Sequence, residues 1–413
     1  MKKVVLFIIL FAILSSCIQQ AKRGHVMFEN VDPYQIAGKS KVANGNKGLD
    51  IHIDYKKIDK NSVIKFSDVF DSIGFLKLES NSESMIGSVN KLCIEAGFYY
   101  ILDTYKAKTL KKFNQDGLYV ATFGKIGSGP EEIQEITDFF VNSTGVIIYD
   151  QFKSKLFYYS LDGEFLCSKS VPFILNSFFY FSDNEYIFHL FDSDNYHIPD
   201  ILGYSILKTD SNFVVENKTS FREKDKYTNH VSKNDIVFSN NTYYYHPPFN
   251  DTIFSINKDG SLNYDYIFNF GKYSLPDEFL LRKNKKRKRE AWNNEEYVMF
   301  VGDFIPTEHF VYTTFSMQGD LYHSFYSNKT GNIVCGRYTL DDMYYSFSLS
   351  NILSSKGNTL IDVVNAYQIK ESIRRMNLEE LKSHLPQGYL EFWNSIDDDD
   401  NPIIAFYKLK DQL

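Results

Sequence analysis

Three side chains that could act together recur at matching places along this chain. Asp103 ends the apolar run Tyr99-Tyr100-Ile101-Leu102, Asp150 ends Val146-Ile147-Ile148-Tyr149, and His246 follows Tyr243-Tyr244-Tyr245. Each stands a similar distance before an acidic turn residue: Asp116, Asp162 and Asp259 respectively. If these runs are related by rotation, two carboxylates and an imidazole point to one face. Such a set suits a divalent cation that polarises a carbonyl or activates water. The competing use is local, because a polar side chain at a strand end can hold the turn that follows it.

Other stretches with chemical potential are weaker. Asp192-Ser193-Asp194-Asn195 and Asp397-Asp398-Asp399-Asp400 offer oxygen ligands for a bound calcium ion, but neither has the glycine and distal glutamate of an EF-hand loop. No other cofactor is suggested. Gly124-Lys125-Ile126-Gly127-Ser128-Gly129 invites comparison with a phosphate loop but lacks the Lys-Ser/Thr ending. Backbone turning between strands accounts better for its glycines. There is no H-E-x-x-H and no G-x-S-x-G, so no catalytic residue is assigned. His189, His197, His230, His246, His309 and His323 fall in strand and loop regions without ligand spacing.

The elements that would position these groups form a repeat. Strand, bridge, strand and tight turn recur as Tyr99–Asp103, Leu110–Phe113 and Asn114-Gln115-Asp116-Gly117, then as Val146–Asp150, Leu156–Tyr159 and Leu161-Asp162-Gly163. The spacing of the turn glycines is that of one four-stranded propeller blade per repeat. Glycine suits such turns because they need positive φ. The strands are apolar on both faces, as expected where neighbouring blades cover both. Blades are expected over about Ile86–Glu135, Ile136–Ile174, Leu175–Glu223 and His230–Gly271, with a fifth around Phe310–Cys335. Ile369, Ile373 and Met376 share a helical face, and Asn377 with Glu380 resembles a capping box before Leu378–Leu385, stopped by Pro386. A final strand, Ile403–Leu409, is expected to pair with Ile73–Leu78 and close the ring.

The first residues carry an address. Met1-Lys2-Lys3 and the apolar run Val4–Leu14 form a secretory leader, and Leu14-Ser15-Ser16-Cys17 resembles a lipobox whose cysteine is acylated. Residues 1–16 thus read as signal peptide, 17–66 as lipidated tether and lead-in, and 67–413 as the propeller. Ile18 to Lys65 is polar with no sustained period. Cys93, Cys167 and Cys335 remain after cleavage, an odd number, each beside an apolar run, and they read as small buried hydrophobes. The net charge of −7 is too mild to imply a nucleic-acid partner. The basic run Arg282–Arg289 reads as a solvated loop.

Three segments carry a family resemblance: Asp71–Glu79, the loop Phe123–Glu132 with its Gly-x-Gly-Pro-Glu element, and Asp399–Lys410. In these the chain resembles the six-bladed β-propeller lipoproteins of Bacteroidota. The resemblance implies an all-β, six-bladed propeller with a short helical insertion near the C-terminus, where the repeat alone shows four or five blades. It implies a cell-envelope location and says little of activity. Bacteroidota export signals place carboxylates after the lipidated cysteine, whereas Ile18–Gly24 has two positive charges and none, so an outer-membrane lipoprotein facing the periplasm is expected. The resulting reading is a non-enzymatic propeller, anchored to the membrane by Cys17, that presents loops to a protein, small-molecule or glycan ligand. The alternative is a metal-dependent hydrolase, lactonase or lyase using the central channel, for which Asp103, Asp150 and His246 are the candidates.

Overall fold

The computed structural model describes residues 27–43, 49–52, 62–181, 185–190, 195–221, 235–276, 297–299, 302–344, 348–349, 351–375, 385 and 388–412. Cys17, most of Asp192–Asn195, the Arg282–Arg289 run and the Asn377–Glu380 box lie outside the described residues.

A sheet that is apolar on both faces must be covered on both, and this chain does so six times. Blade one is built of Lys91–Glu95, Phe98–Asp103, Thr109–Phe113 and Tyr119–Phe123, from inner to outer strand. Blade two follows with Ile136–Asn142, Gly145–Asp150, Lys155–Tyr159 and Phe165–Ser170. Blade three has Ser177–Phe181, Glu185–His189, Tyr204–Thr209 and Val215–Phe221, and blade four Ile236–Ser239, Thr242–Tyr245, Thr252–Ile256 and Leu262–Asn269. In blade five two short pieces, Val298–Met299 and Phe304–Pro306, share the inner position against Phe310–Met317, followed by Asp320–Ser327 and Ile333–Gly336. Blade six combines Ile352–Lys356, Thr359–Val364 and Ile403–Leu409 with Phe70–Lys77 from the other end of the chain. The fold is a six-bladed β-propeller.

The core divides accordingly. Among the described residues the buried apolar side chains form six clusters, one at each blade interface. Strand 145–150 shows the logic: Val146 and Ile148 face blade one, while Ile147 and Tyr149 face blade three. A run such as Val-Ile-Ile-Tyr is what two dry faces at a two-residue period require.

Closure follows the expected pairing, with one refinement. Ile403–Leu409 pairs with Phe70–Lys77 from Ile403↔Lys77 to Leu409↔Phe70 and, on its other side, with Thr359–Val364. The C-terminal strand is therefore interior to blade six, and the early strand forms its rim. The helical insertion connects Thr359–Val364 to Ile403–Leu409. Its first helix, Ala366–Arg374, buries Ile369 and packs Ile373 against the same core. Its second, Tyr389–Asn394, buries Trp393 and starts after Gly388 in the left-handed region. The sequence pattern placed no helix there.

The stretch read as a tether is partly docked. Lys41–Val42 pairs parallel with Asn217 and Lys218 of blade three, Leu49–His52 with Tyr266–Asn269 of blade four, and Val63–Lys65 with Tyr338–Leu340 after blade five. These strands are two to four residues long, too short to show a hydrophobic period. They form a belt over the outer edges of blades three and four and along the strand that follows blade five.

The turn glycines serve as joints between blades as well as turns. Gly117 has φ +80°, and a Cβ there would run into the Lys77 carbonyl of blade six. Its own carbonyl accepts from the Glu79 N–H at 2.8 Å. Closure yields a direct test. Deleting residues 403–413 removes a strand paired on both sides, so the truncated protein should run as aggregate in size-exclusion chromatography. A monomeric truncated chain with an unchanged Tm would refute closure by this strand.

Candidate functional site

Asp103 and Asp150 are fully buried, and the structure shows what occupies them. Asp103 Oδ2 accepts from the N–H groups of Gly87 (2.7 Å) and Ser88 (2.9 Å), in the crossing that enters blade one. Its Oδ1 accepts from Ser88 Oγ (2.9 Å) and from the Lys106 N–H (2.8 Å), in the turn after its own strand. Asp150 does the same in blade two, accepting from the N–H groups of Gln134 (2.7 Å) and Lys153 (3.1 Å). His246 sits at the matching place in blade four. Its N–H donates to the Asp235 carbonyl at 2.8 Å, and Nε2 donates to the Asn250 carbonyl at 3.3 Å. His189, which ends the second strand of blade three, is the matching residue that the spacing did not single out. These positions fasten the crossing between blades to the turn beside it. Among the described residues no three His, Cys, Asp or Glu side chains are grouped to hold a metal ion.

The two aspartates differ electrostatically. Burial opposes the Asp103 charge, but donors from Lys106, Ala107 and Ser88 outweigh it and hold the carboxyl below its ordinary range. At Asp150 burial wins over fewer donors, and its carboxyl is pushed up.

The innermost strands are tied to their neighbours around the ring. Lys91 of blade one pairs with Asp138 of blade two at 2.6 Å, and Asp138 Oδ2 accepts from the Phe178 N–H of blade three at 3.0 Å. Ser239 and Ser355, from blades four and six, both donate to the Pro306 carbonyl of blade five at 2.6 Å. Tyr243 of blade four stacks on Phe179 of blade three with ring centroids 4.1 Å apart and also meets Phe181 and Phe238. Burial raises its phenol pKa, and Cys93, Glu95 and Asp138 across the ring raise it further. Aromatic packing and interblade hydrogen bonds thus engage several of the polar and aromatic side chains on the inner strands, while Lys91 and Phe238 keep part of their surface in solvent.

The loop 124–133 has the shape of an anion nest, and its amides are already used. Glu132 Oε2 accepts from the Gly129 N–H at 2.9 Å, and Oε1 pairs with Lys125 at 2.7 Å. Lys153 Nζ donates to the carbonyls of Gly129 (2.7 Å) and Glu132 (2.6 Å). A Cβ at Gly127 would collide with the Glu132 carboxylate. The glycines therefore make room for the chain's own anion. Beside this loop, between blades one and two, lies a cavity of about 420 Å³ whose lining includes Thr122, Lys125, Glu131, Glu132, Tyr159 and Phe165. No sequence pattern announced it, because its walls come from separate repeats.

The remaining candidates resolve locally. In the Asp397–Asp400 stretch, Asp400 pairs with Lys77 and Asp398 with Arg374, each at 2.6 Å. Asn195 bonds the backbone of Ile174 on both sides. Burial lifts the thiols of Cys93 to about 11 and Cys335 to about 12. Cys167 is exposed rather than buried, because its strand is the outermost of blade two.

The family model for a domain of unknown function, DUF4934, matches residues 50–408. A solved structure of a protein described as exported, from Bacteroides fragilis, is similar with a TM-score of 0.71 and 17% identity, covering 88% of this chain and 100% of that one. A DUF4221 family member from Bacteroides vulgatus has a TM-score of 0.46 and 10% identity, covering 83% and 97%. Virginiamycin B lyase from Staphylococcus aureus has a TM-score of 0.38 and 9% identity, covering 80% and 82%. The first likeness shows the fold alone, and the other two carry no argument. No curated protein matches the chain.

The contrast between the aspartates is testable. Asp103→Asn and Asp150→Asn should each cost about 1–3 kcal/mol, since each leaves buried N–H donors poorly satisfied. A lowered folded-state pKa stabilises above the unfolded value and loses that stability as pH falls through the folded one. The Asp103→Asn deficit should therefore shrink from pH 7 towards pH 3. Asp150 has a raised folded-state pKa, so its variant's deficit should grow over the same range. Urea unfolding at both pH values checks the sign, and parallel trends would refute the assignment.

Proposed function

The chain belongs to the DUF4934 family, and on that premise we propose that it is a lipid-anchored β-propeller that binds a partner in the cell envelope and catalyses no reaction in its channel. The observation that carries this reading is a set of exposed aromatics at one end of the propeller. Tyr105, Phe152 and Tyr196 occupy the turns between second and third strands of blades one to three and are 73%, 47% and 53% exposed. Tyr367, on the insertion that replaces this turn in blade six, is exposed as well. Large aromatic side chains in water mark recognition surfaces. The carboxylates of Asp103 and Asp150, spent on donors of the crossings and turns, support the same reading over a metal-dependent hydrolase, lactonase or lyase. The partner class is a protein, with a small molecule or glycan as the other ligand the loops could take.

The anchor is Cys17, and diacylation supplies stable membrane attachment where one chain would not. With no carboxylate in Ile18–Gly24, the propeller faces the periplasm from the inner leaflet of the outer membrane.

Two experiments test this. Cys17→Ala should move the protein from the membrane to the soluble fraction with its Tm unchanged, and protease should digest the native protein only after the outer membrane is permeabilised. Retention on membranes refutes the anchor, and digestion in intact cells places the propeller outside. For the binding end, a photo-crosslinking residue at position 105 or 152 should yield a discrete adduct in cells, whereas one at Asp116, in a turn at the other end, should not. Equal labelling at all three positions, or none, would sink the loop-end assignment.

A further inference from the structure

The outer edges of the blades are not equally protected. The belt pairs with blades three and four and with Tyr338–Leu340, the short strand that follows blade five. The insertion covers blade six: Tyr389 Oη donates to the Ile73 carbonyl at 2.7 Å, and Lys77 donates to the Ser395 carbonyl. In blade one the Tyr119 N–H donates to Glu79 at 2.8 Å. Among the described residues nothing pairs with the outer edge of Phe165–Ser170 in blade two, where Leu166 is 59% exposed. A bare edge strand is a template for another strand.

The cavity opens at the start of this strand. Its charges are unbalanced, since Lys125 is taken by Glu132 and Glu131 makes no hydrogen bond or ion pair among the described residues. The Tyr159 hydroxyl is buried without a hydrogen-bond partner. Glu131 and Tyr159 both line this cavity, and burial, with the Glu131 charge adding to it, pushes the phenol up to about 12. The rings of Tyr159 and Phe165 meet edge to face at 5.8 Å. A carboxylate, an unsatisfied oxygen and aromatic walls together suit a cation with N–H donors.

We propose that the outer edge of blade two is a strand-addition site for an extended segment of a partner protein, which pairs parallel to Phe165–Ser170 and seats an arginine or lysine in the cavity beside Glu131. The parallel direction follows from the chain's own practice, because all three belt strands add parallel to the strands they cover. A parallel strand begins at the Phe165 end, where the cavity lies. Main-chain pairing would give affinity and the cavity would give specificity. This edge is separate from the aromatic loop end, so either assignment can fail without the other.

The test uses the full-length protein in detergent and dye-labelled hexapeptides read by fluorescence anisotropy. Arg-Val-Thr-Val-Thr-Val should bind at least tenfold tighter than Glu-Val-Thr-Val-Thr-Val. Glu131→Gln, which alters an exposed and unpaired side chain, should remove most of that preference without changing the Tm. Alternate amides of a strand face the host edge, so two copies of the arginine peptide N-methylated on alternate residues should differ at least tenfold in affinity. Equal binding of the arginine and glutamate peptides, or equal binding of the two N-methylated peptides, would overturn the proposal. Absence of peptide binding would overturn it too, and concentration-dependent self-association in that case would assign the edge to a second copy of this chain.

Discussion

Everything in this molecule depends on sheets that are apolar on both faces. One such blade in water would expose two rows of Phe, Tyr, Ile and Leu, and full burial of each such side chain is worth about 1.5–3 kcal/mol. A blade with one neighbour still exposes one row, so only a closed ring ends the series. Blade six supplies closure by taking its rim strand, Phe70–Lys77, from one end of the chain and its other strands from the opposite end. The interface cluster between blades five and six is correspondingly large, with Phe66, Phe70, Tyr312, Phe325 and Tyr407 in mutual ring contact.

A ring held by apolar faces leaves its polar crossings to be secured. Each crossing carries backbone N–H groups away from any ladder, and leaving them buried without partners would be costly. Asp103 and Asp150 answer this with carboxylates that accept from the crossing and from the adjacent turn. Asn401 does the same for the crossing out of blade six, accepting from the Ile86 N–H and donating to the carbonyls of Glu79 and Ser84. The arrangement that looks from sequence like a convergent metal site is, in space, a set of fasteners. This also explains why they recur at fixed distances from the turn glycines, since both belong to one structural unit.

Legibility in the sequence followed locality. Repeats whose turn chemistry sits within one blade, such as Asp116-Gly117 and Asp162-Gly163, could be read directly. Blade five could not be bounded, because its inner position is split between Val298–Met299 and Phe304–Pro306 and its second strand has no Asp or His end. The belt escaped notice because strands of two to four residues have no period and are specified by the edges they meet. At the site, Asp103 and Asp150 were visible as positions, whereas their role required the partners on other segments. Glu132 seemed one more loop acid, yet it fills the nest that Gly127 and Gly129 create. Tyr159 was one apolar residue among many until blade one was set beside it.

The belt gives the rims a functional meaning beyond stability. A chain that spends its early residues covering the rims of blades three and four and the strand after blade five treats exposed strand edges as something to be controlled. Blade six is shielded by a helix and blade one by Glu79, through a side chain rather than a strand. Blade two lies next in the ring and, among the described residues, its rim is left bare beside the cavity whose Glu131 carboxylate is unpaired. An edge that must stay unpaired is usually short, charged or bulged, and this strand does carry Lys169 and a bulge against Tyr158–Tyr159. It spans six residues and presents Phe165 and Leu166 at its start. Its length and its exposed Leu166, next to a cavity with an acidic wall, are explained by a strand that arrives from another molecule.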